Sequence, residues 1–325
     1  MEPISVCNSY DNTAELLEKF PIIHPTPVST QIEKNIQNRL LTGFENWNRG
    51  FDAWKAWGDI LYTPDSLYNV HAVHLTLGEY QNAMKATLRA NNILMGDFLN
   101  MVICGDWCAI HYKIATINRE TDVNNPGSVM EFVNFKDYGP ELGTRVVEGW
   151  AGTKGKDYAG LAYFQTPDER VAQKAFMDGV AATELPQTED PEEKYPVCHP
   201  TPICSEWGEE IKAAILTDFE CWNRGAACWC DWADRFYSPD TAWHTDHECL
   251  DLAGLKAKVL AEDKLTQTTR VYFESLLISG DWAAIHYRTV LTDRETGARD
   301  AGSRMQFLRF AKTPEGLRVT ETWTK

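Results

Sequence analysis

Gly105-Asp106-Trp107-Cys108-Ala109-Ile110-His111-Tyr112 returns 175 residues later as Gly280-Asp281-Trp282-Ala283-Ala284-Ile285-His286-Tyr287. Seven of the eight positions are identical. The chain of 325 residues therefore reads as two copies of one domain. Each copy carries the same histidine, His111 or His286, inside a strand-like segment.

A spacing of 175 is too long for solenoid or propeller units, which repeat every ~20–50 residues. Copies of this length can each bury a core. The repeat divides the chain into an extension (1–18), a first copy (19–150), an insert with a short helix (151–193) and a second copy (194–325). A hydrophobic fraction of 43% with 24% charged residues is that of a soluble globular protein. The net charge of −16 repels nucleic-acid phosphate and anionic lipid, and no basic stripe offsets it. Nucleic acid is not an expected partner, nor is membrane, since no apolar run is long enough to span one. Met1-Glu2-Pro3-Ile4 lacks the basic and apolar regions of a signal peptide. Nine cysteines, an odd number, then read as thiols of a cytoplasmic protein. Cys228-Trp229-Cys230 has the wrong spacing for a zinc pair and reads as part of a helix.

Outward from the repeated stretch, both copies follow one order. Lys19 to Pro27, matched by Lys194 to Pro202, holds three prolines and reads as an extended arm. Helical stretches follow, Gln31 to Leu41 and Glu206 to Leu216. Gly50 and Gly225, in Trp47-Asn48-Arg49-Gly50 and Trp222-Asn223-Arg224-Gly225, break one helix from the next. Trp54 with Trp57, and Trp229 with Trp232, share a helical face. Proline in Tyr62-Thr63-Pro64-Asp65 and Tyr237-Ser238-Pro239-Asp240 ends the second helix. A short strand follows, with His71 in one copy and Trp243, His244 and Asp246 in the other. Third helices run from Leu77 to Ala90 and from Leu252 to Ala261. The rest of each copy is β-like and ends in Glu148-Gly149-Trp150 or Glu321-Thr322-Trp323. In the insert, Thr166-Pro167-Asp168-Glu169 starts a helix, and the acidic, proline-interrupted stretch from Leu185 to Glu193 reads as a linker.

This order, with the Trp-Asn-Arg-Gly, Tyr-x-Pro-Asp, Gly-Asp-Trp and Glu-x-Trp motifs of both copies, resembles the SnoaL-like branch of the NTF2-like superfamily. The resemblance implies an α+β fold of two cone domains, each a curved antiparallel sheet wrapped around N-terminal helices, related by pseudo-two-fold symmetry. It implies a monomeric pseudo-dimer or a homodimer of tandem chains. Members include polyketide cyclases, ketosteroid isomerases and dehydratases, and also proteins that only bind, so the fold alone does not fix the function. An isomerase-like base would fall near Val70 and Thr245, which cannot serve. His71, His244 and Asp246 are the neighbours able to take over, and Glu148 and Glu321 stand where a cyclase-type carboxylate would.

The chemistry expected is general acid–base catalysis on a hydrophobic, oxygenated, aromatic or polycyclic small molecule. It requires no cofactor and no metal. Candidate catalytic residues are His244, Asp246, His286, His71, His111, Tyr237, Tyr62, Glu321 and Glu148. Candidate walls for the substrate are Trp47, Trp54, Trp57, Trp222, Trp229 and Trp243. The second copy, with its denser cluster at His244, Asp246 and His247, is the expected active one. Plain structural roles compete at each position: a histidine bonded within the sheet, glutamates paired with arginines, tryptophans packed as core. A non-catalytic small-molecule binding or protein-interaction module is the alternative reading.

Overall fold

A computed structural model of the chain describes residues 12–70, 73–152, 161–245 and 248–325. They form two compact units that divide between Glu169 and Arg170. Each unit is α+β, with helices packed on one sheet.

The first unit begins with α1 (Thr13–Lys19), β1 (Ile22–Pro25), α2 (Gln31–Asn48) and α3 (Phe51–Leu61). It continues through β2 (Tyr62–Val70), β3 (Val73–Thr76), α4 (Leu77–Ala90), β4 (Asn91–Cys104) and β5 (Trp107–Asn118). It closes with β6 (Asn124–Asp137), α5 (Gly139–Leu142) and β7 (Thr144–Gly152). A capping box starts α2: Thr30 accepts from the Glu33 amide, and the Glu33 carboxylate accepts from the Thr30 amide. Thr76 and Glu79 do the same for α4. Gly50, at φ 111°, turns the chain from α2 into α3 in a region that disfavours a side chain.

The seven strands run in the order β1-β4-β5-β6-β7-β2-β3. Hairpin-joined neighbours are antiparallel, but β1–β4 and β2–β7 are parallel. The expected antiparallel sheet is thus mixed. Both parallel pairs are joined by long connections, which is what such pairing requires. Helix α2 packs against β4 and β7, and α3 against β2 and β7. The sheet therefore bends round the two helices, and register irregularities in β4 and between β6 and β7 help it do so. Phe44 stacks on Phe98 at 4.2 Å and meets the edge of Tyr112 at 4.7 Å in the enclosed core. On β5, Cys108, Ile110 and Tyr112 belong to that core. Alternation turns Trp107, Ala109 and His111 to the reverse face, where Trp107 stacks on Trp150 at 5.5 Å.

The second unit repeats the plan. Helix α6 (Pro167–Ala181) crosses the division between units and is followed by α7 (Pro191–Lys194), β8 (Val197–His199) and β9 (Ile203–Cys204). Then come α8 (Gly208–Asn223), α9 (Ala226–Phe236), β10 (Tyr237–His244), β11 (Cys249–Leu250) and α10 (Leu252–Glu262). Strands β12 (Thr266–Ser279), β13 (Trp282–Asp293), β14 (Arg299–Thr313) and β15 (Gly316–Thr324) complete it. The sheet order is β11-β10-β15-β14-β13-β12-β8, with β9 also on β12. Phe219 stacks on Phe273 at 4.3 Å and meets Tyr287 at 5.0 Å, as Phe44 does in the first unit. Part of the insert packs here. Phe176 of α6 covers the Arg288 guanidinium at 5.1 Å, and Arg299 binds the Glu184 carboxylate and the Thr183 carbonyl. Cys108, Cys198, Cys221, Cys228, Cys230 and Cys249 are thiols. Cys104 and Cys204 are not among the thiols, contrary to the expectation of thiols throughout. Among the described residues no helix is long and apolar enough to cross a membrane.

Candidate functional site

On β6, Val129 and Val133 lie in the core of the first unit. Period-two alternation places Glu131 on the same face. A carboxyl group therefore projects into an aromatic interior. The Tyr112 hydroxyl donates to it at 2.5 Å, and the Tyr68 phenol favours its ionised form. Tyr68 stacks on Tyr80 at 4.2 Å, with Tyr62 edge-on to it at 6.2 Å. Gly149 makes this possible: a Cβ there would fall 2.6 Å from the Tyr68 ring. Gly43 likewise leaves room for Trp57, whose ring would lie 2.5 Å from a Cβ.

Burial pushes the Glu131 carboxyl above its ordinary range, and the phenols of Tyr112 and Tyr68 only partly oppose this. Burial, aided by the negative charge of Glu131, also raises the phenols of Tyr68 and Tyr62. Both stay protonated and able to donate. The same two causes push the Cys108 thiol well up, which makes it a poor nucleophile. Val129, Met130, Phe132 and Val133 are buried, while Glu131 between them keeps accessible surface.

The second unit differs at this point. Gln306 lies opposite Ile285 as Glu131 lies opposite Ile110. It is 5% exposed and donates to Thr324 at 3.3 Å. Close by, Arg270 is ion-paired with Asp218, and both are buried. The guanidinium stands 4.2 Å from the Trp222 ring, 4.9 Å from Phe219 and 5.4 Å from Tyr287.

The residues expected to be catalytic are dispersed. Tyr62 borders the Glu131 cluster. Tyr237 is buried among Trp229, Phe236 and Trp243, and burial pushes its phenol well up. His111 is on the reverse face, its Nε2 2.9 Å from the Ser128 hydroxyl. His286 is also there, because its neighbours Ile285 and Tyr287 face the core. Burial, then Arg288 and His199, push its pKa well below the ordinary value, so it is neutral. Trp243 faces the core and His244 therefore does not. His244 stacks on Trp323 at 3.9 Å, with Nε2 3.9 Å from Glu321. Burial lowers its pKa and Glu321 opposes the shift. Glu321 also accepts from Trp323 Nε1 at 3.0 Å. Glu148 is paired with Asn134, one step from the core residue Val133, and receives Asn69 Nδ2 at 3.4 Å. The sequence reading aimed these five side chains at the interior. One-residue offsets along their strands put them on the other face. His71 and Asp246 lie outside the described residues, as does His247.

The tryptophans expected as substrate walls are largely packing. Trp47 donates to the Ile93 carbonyl at 2.8 Å, and Trp222 to that of Thr268 at 2.7 Å. These bonds peg α2 to β4 and α8 to β12. Trp54 packs edge-on against Trp47, and Trp229 donates to Asp218 at 2.8 Å. Trp57 and Trp243 are buried in the two cores. Glu131 and Tyr68 were missed in the sequence. The available signal was an acidic residue at a core-facing register position between Val129 and Val133. Among the described residues, no three His, Cys, Asp or Glu side chains gather as a metal site.

No family model and no curated protein matches the sequence. Solved structures do match. The chain is similar, over about a third of its length in each case, to SnoaL-like and ketosteroid isomerase-like proteins. AclR of Streptomyces galilaeus, a proposed hydroxylase, is 21% identical over 36% of this chain and 88% of its own, with a TM-score of 0.31. A SnoaL-like polyketide cyclase of Agrobacterium tumefaciens is 13% identical over 35% of this chain and 89% of its own, with a TM-score of 0.30. A ketosteroid isomerase-like protein of Erwinia carotovora is 16% identical over 37% of this chain and 95% of its own, with a TM-score of 0.29. Each match spans about one copy.

Proposed function

We propose that the first half is a cofactor-independent acid–base enzyme of the lyase, isomerase or cyclase kind. Its substrate is a hydrophobic, oxygenated small molecule, aromatic or polycyclic. The observation that carries this reading is the Glu131 carboxyl, set among aromatic side chains and held by the Tyr112 phenol, in a residue that is only partly buried. A carboxyl whose pKa is raised by burial can take and return a proton closer to neutrality. Glu131 would abstract a proton from a carbon beside a carbonyl. As it takes up that proton it accepts less strongly, and the hydroxyls of Tyr112 and Tyr68 can turn to the substrate oxygen that gains charge. One such acid–base group is worth ~10²–10⁴ in rate. The expected weight on the second half moves to the first, because the amide of Gln306 does not ionise near neutrality and cannot shuttle a proton.

The test is a titration with phenolic dimers, steroids, bile acids and polyketide-like ketones, followed by tryptophan fluorescence and product analysis. Glu131→Gln should keep binding and lose turnover by ~10²–10⁴. Turnover unchanged in that variant would sink the proposal. Saturable binding to the wild-type chain with no product from any compound would favour the non-catalytic binding module.

A further inference from the structure

We propose that the two interiors are not equivalent: that of the second half carries a built-in occupant, the Arg270 guanidinium, which closes it to a ligand. This goes beyond the acid–base reading and rests on separate observations. Sheet register identifies the equivalent positions. Met95 pairs with Ile114, and Arg270 with Thr289. Gly149 pairs with Val133, and Thr322 with Leu308. The sequence repeat matches Gly43 with Asp218. Asp for Gly and Arg for Met bring in an ion pair, and Thr for Gly stands where the first unit seats the Tyr68 ring. The fourth, Gln306 for Glu131, removes the acid.

The added groups complete one another. Asp218 accepts from both Trp229 and Arg270. Arg270 lies among Trp222, Phe219 and Tyr287, and Tyr287 is the counterpart of the phenol that binds Glu131. A guanidinium this buried is retained because its charge is met by a carboxylate and by ring faces. A ligand entering here would have to expel it and leave Asp218 buried without its partner. The accessibilities agree. Glu131 keeps accessible surface, whereas Gln306 is 5% exposed and Thr322 is fully buried.

Single-cysteine labelling tests this without any substrate. Glu131→Cys and Gln306→Cys are made separately in the full chain and treated with methyl methanethiosulfonate. Peptide mass spectrometry follows each new thiol apart from the native ones. Labelling at position 131 should be at least ~10-fold faster than at 306, since reaction follows access. Adding Asp218→Gly with Arg270→Met should bring position 306 close to the rate at 131. Equal rates in the two single variants would overturn the proposal. So would a position 306 that stays slow after the ion pair is removed. If the triple variant does not fold, as judged by circular dichroism, the comparison of the two single variants decides alone. No turnover is measured, so failure here is distinct from failure of the acid–base reading.

Discussion

The Tyr112 hydroxyl lies 2.5 Å from the Glu131 carboxylate, across two strands in unbroken register. Both side chains leave the same face of the sheet, toward α2 and α3. A charge-bearing group is thereby held in an interior whose other lining is aromatic and aliphatic.

Tyr112→Phe should raise the pKa of Glu131 further, because that hydroxyl favours the ionised form. The ascending limb of kcat/KM against pH should move to higher pH in the variant. In Glu131→Gln that limb should vanish. A limb in the same place in all three proteins would assign it to another group.

Glu131 also makes stability depend on pH. Its folded pKa is raised above the unfolded value of 4.5. Below 4.5 both states hold the proton and the group is neutral in the balance. As pH rises from there through the folded pKa, the unfolded chain ionises first and the wild type loses stability. Glu131→Gln removes this loss. Urea melts from pH 4 to pH 8 should show the variant gaining on the wild type as pH rises. A difference independent of pH would contradict the raised pKa.

Gly149→Ala places a methyl group 2.6 Å from the Tyr68 ring. The ring must swing off β7 and away from Glu131. Overpacking of this kind costs about 1–3 kcal/mol, readable as a lower urea midpoint. Turnover should fall with it, whereas an alanine in open space on helix α4, Gly78→Ala, should lower neither.

Arg270→Met leaves Asp218 buried without its cation, and should cost ~3–5 kcal/mol, as breaking buried pairs does. Asp218→Gly should cost a similar amount. The double variant should be far less destabilised than the two singles added, since the sites are coupled. Additive losses in a denaturant double-mutant cycle would mean that the pair contributes nothing as a pair.

Much of the fold was legible in the chain. The repeat of Gly105 to Tyr112 announced two copies, and Gly50 with Gly225 marked the helix breaks. The helix expected from Leu77 to Ala90 has those bounds in the structure, where Thr76 and Glu79 form a capping box at its start. Glu148 and Glu321 were matched correctly: the first pairs with Leu67 and Asn134, the second with their counterparts Ala242 and Arg309. The site was less legible. Histidines drew attention as titratable groups within strands, yet His111, His244 and His286 each neighbour a core-facing residue and so point the other way.

Sequence by itself determined the two-copy plan, the order of helices and strands, and the aromatic character of the two interiors. These follow from local signals: prolines, glycines, caps and periodic apolar residues. Only the tertiary structure decided which ionisable groups enter an interior. A strand alternates with period two, so an offset of one residue reverses every assignment. Tyr68 on β2, Tyr112 on β5 and Glu131 on β6 meet only because β7 lies between β6 and β2 and carries Gly149 where the Tyr68 ring crosses it. Likewise Asp218 and Arg270, 52 residues apart, meet only when α8 is laid on β12. Long-range register made these contacts, and no spacing in the chain encodes it.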